Sequence, residues 1–172
     1  PGEWQPWDMP KKAEFLLNGE RQHINISPEL RLSELLRDQY GLLGTKSGCL
    51  IGVCGSCLVF LDSTLTPACL IPAFSVDKTE IVTVEGIMER EDFSDIENGF
   101  LKAGMNPCGY CAAGKVMVTQ AFLENSMVDS AASPDDYIDS VKCRCTSRIN
   151  FKLGMQNSLE YRKRRDNARQ ER

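Results

Sequence analysis

Eight cysteines constrain this 172-residue chain more than any other feature, because they dictate which stretches must converge in space. They fall into two quartets. The first is Cys49-x4-Cys54-x2-Cys57-x11-Cys69; the second is Cys108-x2-Cys111 followed, after an interval of 31 residues, by Cys143-x-Cys145. Eight is an even number and so allows a disulfide framework. Against it, Cys143 and Cys145 stand too close to bridge each other comfortably, and Cys49, Cys54 and Cys57 crowd into nine residues where bridges would be strained. No export signal is visible, so reduced thiols acting as metal ligands are the expected state.

The bulk numbers exclude several function classes. A chain with 42% hydrophobic and 26% charged residues has the make-up of an ordinary folded protein. Its net charge of −4 gives no overall pull toward nucleic acid or anionic lipid. The densest apolar run, Leu58 to Leu61, is strand-sized and far below the roughly 18 residues that cross a bilayer. A cytoplasmic protein without a membrane span is expected. The start at Pro1, with no methionine, suggests that a few residues precede it.

Four segments are expected along the chain. Residues 1–12 form an arm with Trp4, Trp7 and three prolines, either a loose end or a strip that buries its indoles against a partner. Residues 13–88 read as a small α+β domain. Phe15 to Leu17 and Arg21 to Ile26 flank Asn18-Gly19, a hairpin dipeptide, and His23 falls on the polar face of its strand. Leu32, Leu35 and Leu36 have helical spacing, a glycine-rich cysteine loop comes next, and Leu58–Leu61 and Ile81–Val84 read as strands.

Residues 89–150 read as helical. Phe93, Ile96, Phe100 and Leu101 share one face, and a helix from about Gly109 to Asn125 starts on Cys108 and Cys111. Ser133-Pro134-Asp135-Asp136 is a capping box that opens a third helix ending at Cys143 and Cys145. A fourth, from Thr146 to about Asp166, is expected to turn Ile149, Leu153 and Leu159 inward. Residues 151–172 form a basic tail, a solvated helix end or a docking strip for an acidic partner.

The first quartet has what an iron–sulfur cluster requires. Three cysteines in one loop with a fourth just beyond is the plant-type spacing for a [2Fe–2S] cluster. Thiolates bring excess negative charge to the irons, and glycines let backbone N–H groups turn toward the sulfurs. Gly52, Gly55 and Ser56 lie where they could donate. Zinc more naturally takes two separated Cys-x2-Cys knuckles. Taken alone, the second quartet suits zinc and iron–sulfur equally. Its place at a helix start favours an anionic cluster facing positive N-terminal dipoles. No residue is a candidate nucleophile or general base, so electron transfer rather than catalysis is expected of this chain.

The run Gly48-Cys49-Leu50-Ile51-Gly52-Val53-Cys54-Gly55-Ser56-Cys57, then Cys69, Cys108-Gly109-Tyr110-Cys111 and Cys143-Arg144-Cys145-Thr146, resembles the small iron–sulfur subunit of the molybdenum hydroxylases. Those enzymes include xanthine dehydrogenase, aldehyde oxidoreductase and carbon monoxide dehydrogenase. Ser33-Glu34-Leu35-Leu36-Arg37 and Val84-Glu85-Gly86 are also similar, and the likeness spans about residues 13–148. It implies a β-grasp ferredoxin-like domain followed by a four-helix bundle, each with one [2Fe–2S] cluster. Cys49, Cys54, Cys57 and Cys69 would hold one cluster; Cys108, Cys111, Cys143 and Cys145 would hold the other. The resemblance also implies a large molybdopterin-binding subunit, usually an FAD subunit, and electron flow from the second cluster to the first and on to flavin. Pro107 stands where the family usually has a glutamine touching the pterin, Ala113-Gly114 replaces proline-glycine, and Ser147-Arg148 replaces a glycine-aromatic pair. Two other readings are a freestanding two-cluster ferredoxin, or electron carrier of another oxidoreductase, and a redox or iron sensor using the basic tail.

Overall fold

Strands β1 (Lys11–Leu17) and β2 (Glu20–Ile26) pair antiparallel about Asn18-Gly19, whose φ values of 50° and 85° are those of a type I′ turn. The computed structural model describes residues 11–129 and 131–171; Trp4 and Trp7 lie outside them. The alternation along β1 buries Ala13, Phe15 and Leu17, while His23 on β2 is exposed, as its polar neighbours predict. Helix α1 (Leu32–Glu34) passes into a π-type turn, Leu35–Gln39, which sinks Leu32, Leu35 and Leu36 under the sheet. Glu34 starts α1 by accepting from the Arg31 N–H at 2.9 Å.

The sheet has five strands rather than the four expected. β3 (Leu58–Leu61), β4 (Thr64–Pro67) and β5 (Glu80–Val82) complete the order β2-β1-β5-β3-β4, with β1 and β5 parallel and the other pairs antiparallel. The β3–β4 turn escaped prediction because it uses Asp62-Ser63, not a glycine dipeptide, at φ 47° and 65°. Asp62 contributes by accepting the Glu80 N–H at 2.8 Å, which ties the turn to β5. Val84, expected to end a strand, instead opens helix α2 (Val84–Met88), and Val84 and Ile87 pack into the helical core.

Beyond α2 lie α3 (Phe93–Lys102), α4 (Ala112–Val128) and α5 (Arg148–Gln170). Ile96 and Phe100 are buried on α3, but Leu101 is 68% exposed and does not join their face. Ser133 and Asp136 form the expected capping box, but the chain beyond it makes only two 3₁₀ turns, Pro134–Asp136 and Ile138–Ser140, and not a helix. α5 runs unbroken across residues 150 and 151. Its inward face is Phe151, Met155 and Ser158, whereas Ile149 and Leu153 point outward. The apolar residues misled here because α3 and α5 approach through small groups. A Cβ on Gly99 would meet Ser158 Oγ at 2.2 Å.

The basic run of α5 is also partly internal. Arg162 is buried, its Nε 2.6 Å from Asp95 Oδ2 and its Nη2 3.0 Å from Asp92 Oδ2, and Arg165 reaches the same Asp95 at 3.1 Å. A buried guanidinium is tolerated where carboxylates and further acceptors satisfy its fork. Lys163 and Arg164 remain on the solvent side.

Candidate metal centres

The first quartet lies on the loop between α1 and β3, with Cys69 in a 3₁₀ turn, Ala68–Leu70, after β4. Cys57 and Cys69 are buried at the sheet end of the loop; Cys49 and Cys54 are half-exposed at its rim. Packing therefore pins one pair while the loop carries the other. The thiols influence one another in pairs: Cys54 helps to lower Cys49, and Cys69 and then Cys54 help to raise Cys57. The backbone donors at Cys49 are Ile51, Val53 and Cys54, with Val53 N–H 3.3 Å from Cys49 Sγ. They lower its thiol to about 6, Ile51 first. Gly52, Gly55 and Ser56 were the expected donors; instead Gly52, at φ 76°, makes the turn that aims its neighbours. Burial pushes Cys57 up to about 12.

The second quartet is built on two helix starts. Cys111 is the N-cap residue of α4, and Cys143 and Cys145 precede α5, whose N-cap is Ser147. The sequence pattern placed that second pair at a helix end; the structure puts it at a beginning, so two positive helix termini face these sulfurs. The sulfurs of Cys111, Cys143 and Cys145 all lie within 4.8 Å of one another, and Cys143 and Cys145 are 3.5 Å apart. Cys108 is exposed and stands outside that group of three, with Cys145 the member whose influence it feels. Burial opposes ionisation of Cys143, yet the Thr146 N–H (3.3 Å) and the Cys111 and Cys145 contacts bring its thiol down to about 6. The Tyr110 backbone first, then Cys145, also lowers Cys108. Burial lifts Cys111 to about 12.

Both donor sets fit a thiolate-ligated iron pair. Each supplies four cysteines with no carboxylate or imidazole among them and a backbone N–H aimed at sulfur, and in the second set three of the sulfurs already crowd within 4.8 Å. The two sites also touch. Lys142 N–H donates to the Cys54 carbonyl at 3.0 Å, so one hydrogen bond joins a residue of the first quartet to the neighbour of Cys143. Tyr110 Oη donates to the Ser47 carbonyl at 3.3 Å. Gly55 and Gly114 make this approach possible. A Cβ on Gly114 would lie 2.1 Å from the Gly55 carbonyl oxygen, and one on Gly55 2.1 Å from that of Ser140.

Comparison with known proteins agrees with this geometry. Residues 15–79 match the model of the 2Fe-2S iron-sulfur cluster binding domain, and residues 83–154 match that of the [2Fe-2S] binding domain. The nicotinate dehydrogenase small FeS subunit of Eubacterium barkeri is 33% identical over 144 residues, covering 84% of this chain and 92% of that one. The xanthine dehydrogenase iron-sulfur-binding subunit of Escherichia coli O157:H7 is 39% identical over 110 residues, 64% of this chain and 69% of that one. Among solved structures, a chain of quinoline 2-oxidoreductase from Pseudomonas putida 86 superposes with a TM-score of 0.78 at 28% identity, covering 91% of this chain and 98% of that one. The aldehyde oxidoreductase of Desulfovibrio desulfuricans ATCC 27774 gives 0.77 at 26% identity, over 89% of this chain but 17% of that one. The chain belongs to the small iron–sulfur subunits of the molybdenum hydroxylases, and is an electron-transfer subunit of an oxidoreductase.

Proposed function

We propose that this chain is the electrical link between a molybdopterin-binding catalytic subunit and a flavin subunit, in a cytoplasmic complex. In this reading Cys49, Cys54, Cys57 and Cys69 ligate one [2Fe–2S] cluster, and Cys108, Cys111, Cys143 and Cys145 ligate the other. The sheet domain is then a β-grasp and α2–α5 a four-helix bundle, with the division close to Thr83, since Val84 and Ile87 pack with the helices.

The single observation that carries the reading is the direct contact of two four-thiol sites, made by the Lys142–Cys54 hydrogen bond and the glycine-to-glycine approach. Bound there, the clusters supply one-electron chemistry with no proton to move. The chain's own residues do the rest. Ile51, Val53 and Thr146 aim N–H groups at sulfurs that carry excess negative charge, and the buried Cys57, Cys69 and Cys111 exclude water from one side of each site. In this reading electrons enter by way of Cys108 and Cys145, which are exposed, and leave by way of the half-exposed Cys49–Cys54 rim.

Pro107 favours a second reading. It offers neither a side-chain hydrogen bond nor an N–H where the family's glutamine would touch the pterin, which suits a carrier serving another oxidoreductase or acting alone. Gentle purification from its native source decides between them. Co-elution with much larger chains that carry molybdenum and flavin supports the complex; a particle of 19.2 kDa without molybdenum refutes it.

A further inference from the structure

One buried cation in the helical core has no anionic or hydrogen-bonding partner among the described residues. Lys115 is 1% exposed, and its Nζ makes no hydrogen bond. It forms no ion pair among the described residues and lies 5.0 Å from the centroid of the Phe151 ring, an interaction too weak to offset the full desolvation of an ammonium. The other buried basic residue, Arg162, is satisfied by Asp92 and Asp95. An unbalanced buried charge calls for a counter-charge that arrives from elsewhere.

Its position says where that charge arrives. Lys115 stands four residues after Cys111 on α4, which puts both on one helix face, and its N–H donates to the Cys111 carbonyl at 3.1 Å. A cavity of about 570 Å³ beside it is lined by Lys115, Phe151 and Cys143. The one carboxylate lining that cavity, Asp139, is taken up by Arg148 at 2.9 Å on the exposed rim. Among the groups lining that cavity, Cys143 is then the anionic candidate left to Lys115, and the lysine's charge also favours the Cys111 thiolate.

We infer that the Lys115 ammonium is the buried counter-charge of the second cluster site and holds the reduction potential of that site above the value it would otherwise have. The inference rests on the cluster assignment proposed above. With a [2Fe–2S] cluster held there, one added electron would reduce one ferric iron to ferrous and bring one negative charge, with no bond broken and no proton transferred. A fixed cation in a poorly screened interior stabilises that added charge more than it does the oxidised state. No buried lysine or arginine accompanies the first quartet among the described residues. Lys115 therefore acts on one site selectively. It is a positioning residue that sets the driving force between the two sites.

The test is a dithionite redox titration of the intact complex, following the two paramagnetic signals separately. Lys115→Met is expected to shift the second-site midpoint downward and leave the first unchanged, with Lys115→Arg close to wild type. An unchanged or raised second midpoint, or an equal shift of both, overturns the inference. If Lys115→Met fails to load the second site, restored loading in Lys115→Arg supports the charge role, and failure of both variants assigns Lys115 to packing and refutes it. A wild-type protein that holds zinc, or gives only one signal, defeats the cluster assignment before any variant is made, so the two failures are separable.

Discussion

At Gly55 two demands fall on one residue. Its φ of 73° lies in the left-handed region, and an added Cβ would press to within 2.1 Å of the Ser140 carbonyl oxygen. A side chain at positive φ costs about 1–3 kcal/mol by itself. Here the neighbouring backbone cannot yield without moving Val141 and the Cys143 segment behind it. Gly55→Ala is therefore expected to destabilise the protein by at least ~2 kcal/mol, read as a lowered denaturation midpoint. The thiols offer a second test at this scale. In cluster-free protein at pH 7, Cys49 and Cys143, both lowered to about 6, are largely thiolate, while Cys57 and Cys111, raised to about 12, are protonated. Only thiolate alkylates quickly. Iodoacetamide should label Cys49 and Cys143 before Cys57 and Cys111, with rates that fall as pH drops below about 6. Peptide mass mapping checks the order, and equal labelling of all four would contradict it. The two cysteine quartets stand out in the sequence because their spacing is itself chemical information, and the structure gathers three of the second, Cys111, Cys143 and Cys145. Lys115 was not, since nothing local distinguishes a lysine that will be buried from one that will be solvated.

Among the elements, legibility followed how local the determining signal was. Asn18-Gly19 encodes its own backbone angles, and the β1–β2 hairpin forms where it was expected. The β3–β4 turn and the inward face of α5 depend on distant partners: Asp62 is held by β5, and α5 meets α3 through Gly99 and Ser158 rather than through its large apolar residues. The ion-pair group of Asp92, Asp95, Arg162 and Arg165 is equally non-local, joining residues some seventy positions apart. Removing one member of a buried pair strands the other. Asp95→Asn is expected to cost about 3–5 kcal/mol, because Arg162 loses its 2.6 Å partner in a dry environment. Replacing both by apolar residues, Asp95→Leu with Arg162→Met, should recover much of that loss. Chemical denaturation of the two variants distinguishes this network from a set of dispensable surface pairs; a double variant as unstable as the single one would count against it.

For the molecule as a whole, the separateness of the two sites matters as much as their contact. Each quartet is anchored in its own core, the first by Cys57 and Cys69 in the cluster of sheet residues, the second by Cys111 among the helices. The link between them is a backbone hydrogen bond, from Lys142 N–H to the Cys54 carbonyl, and side-chain replacement does not remove it. Loss of a ligand at one site should therefore leave the fold and ligands of the other in place. With both sites loaded, iron and acid-labile sulfide should each be about four per chain. Cys54→Ser is expected to abolish one of two paramagnetic signals in the reduced protein and Cys143→Ser the other, with circular dichroism unchanged in both. The alternative is a single shared site built from sulfurs of both quartets, for which the close approach of Gly55 and Gly114 leaves an opening. In that case either substitution would erase the whole signal from a protein that still folds, and iron would fall to none rather than to half.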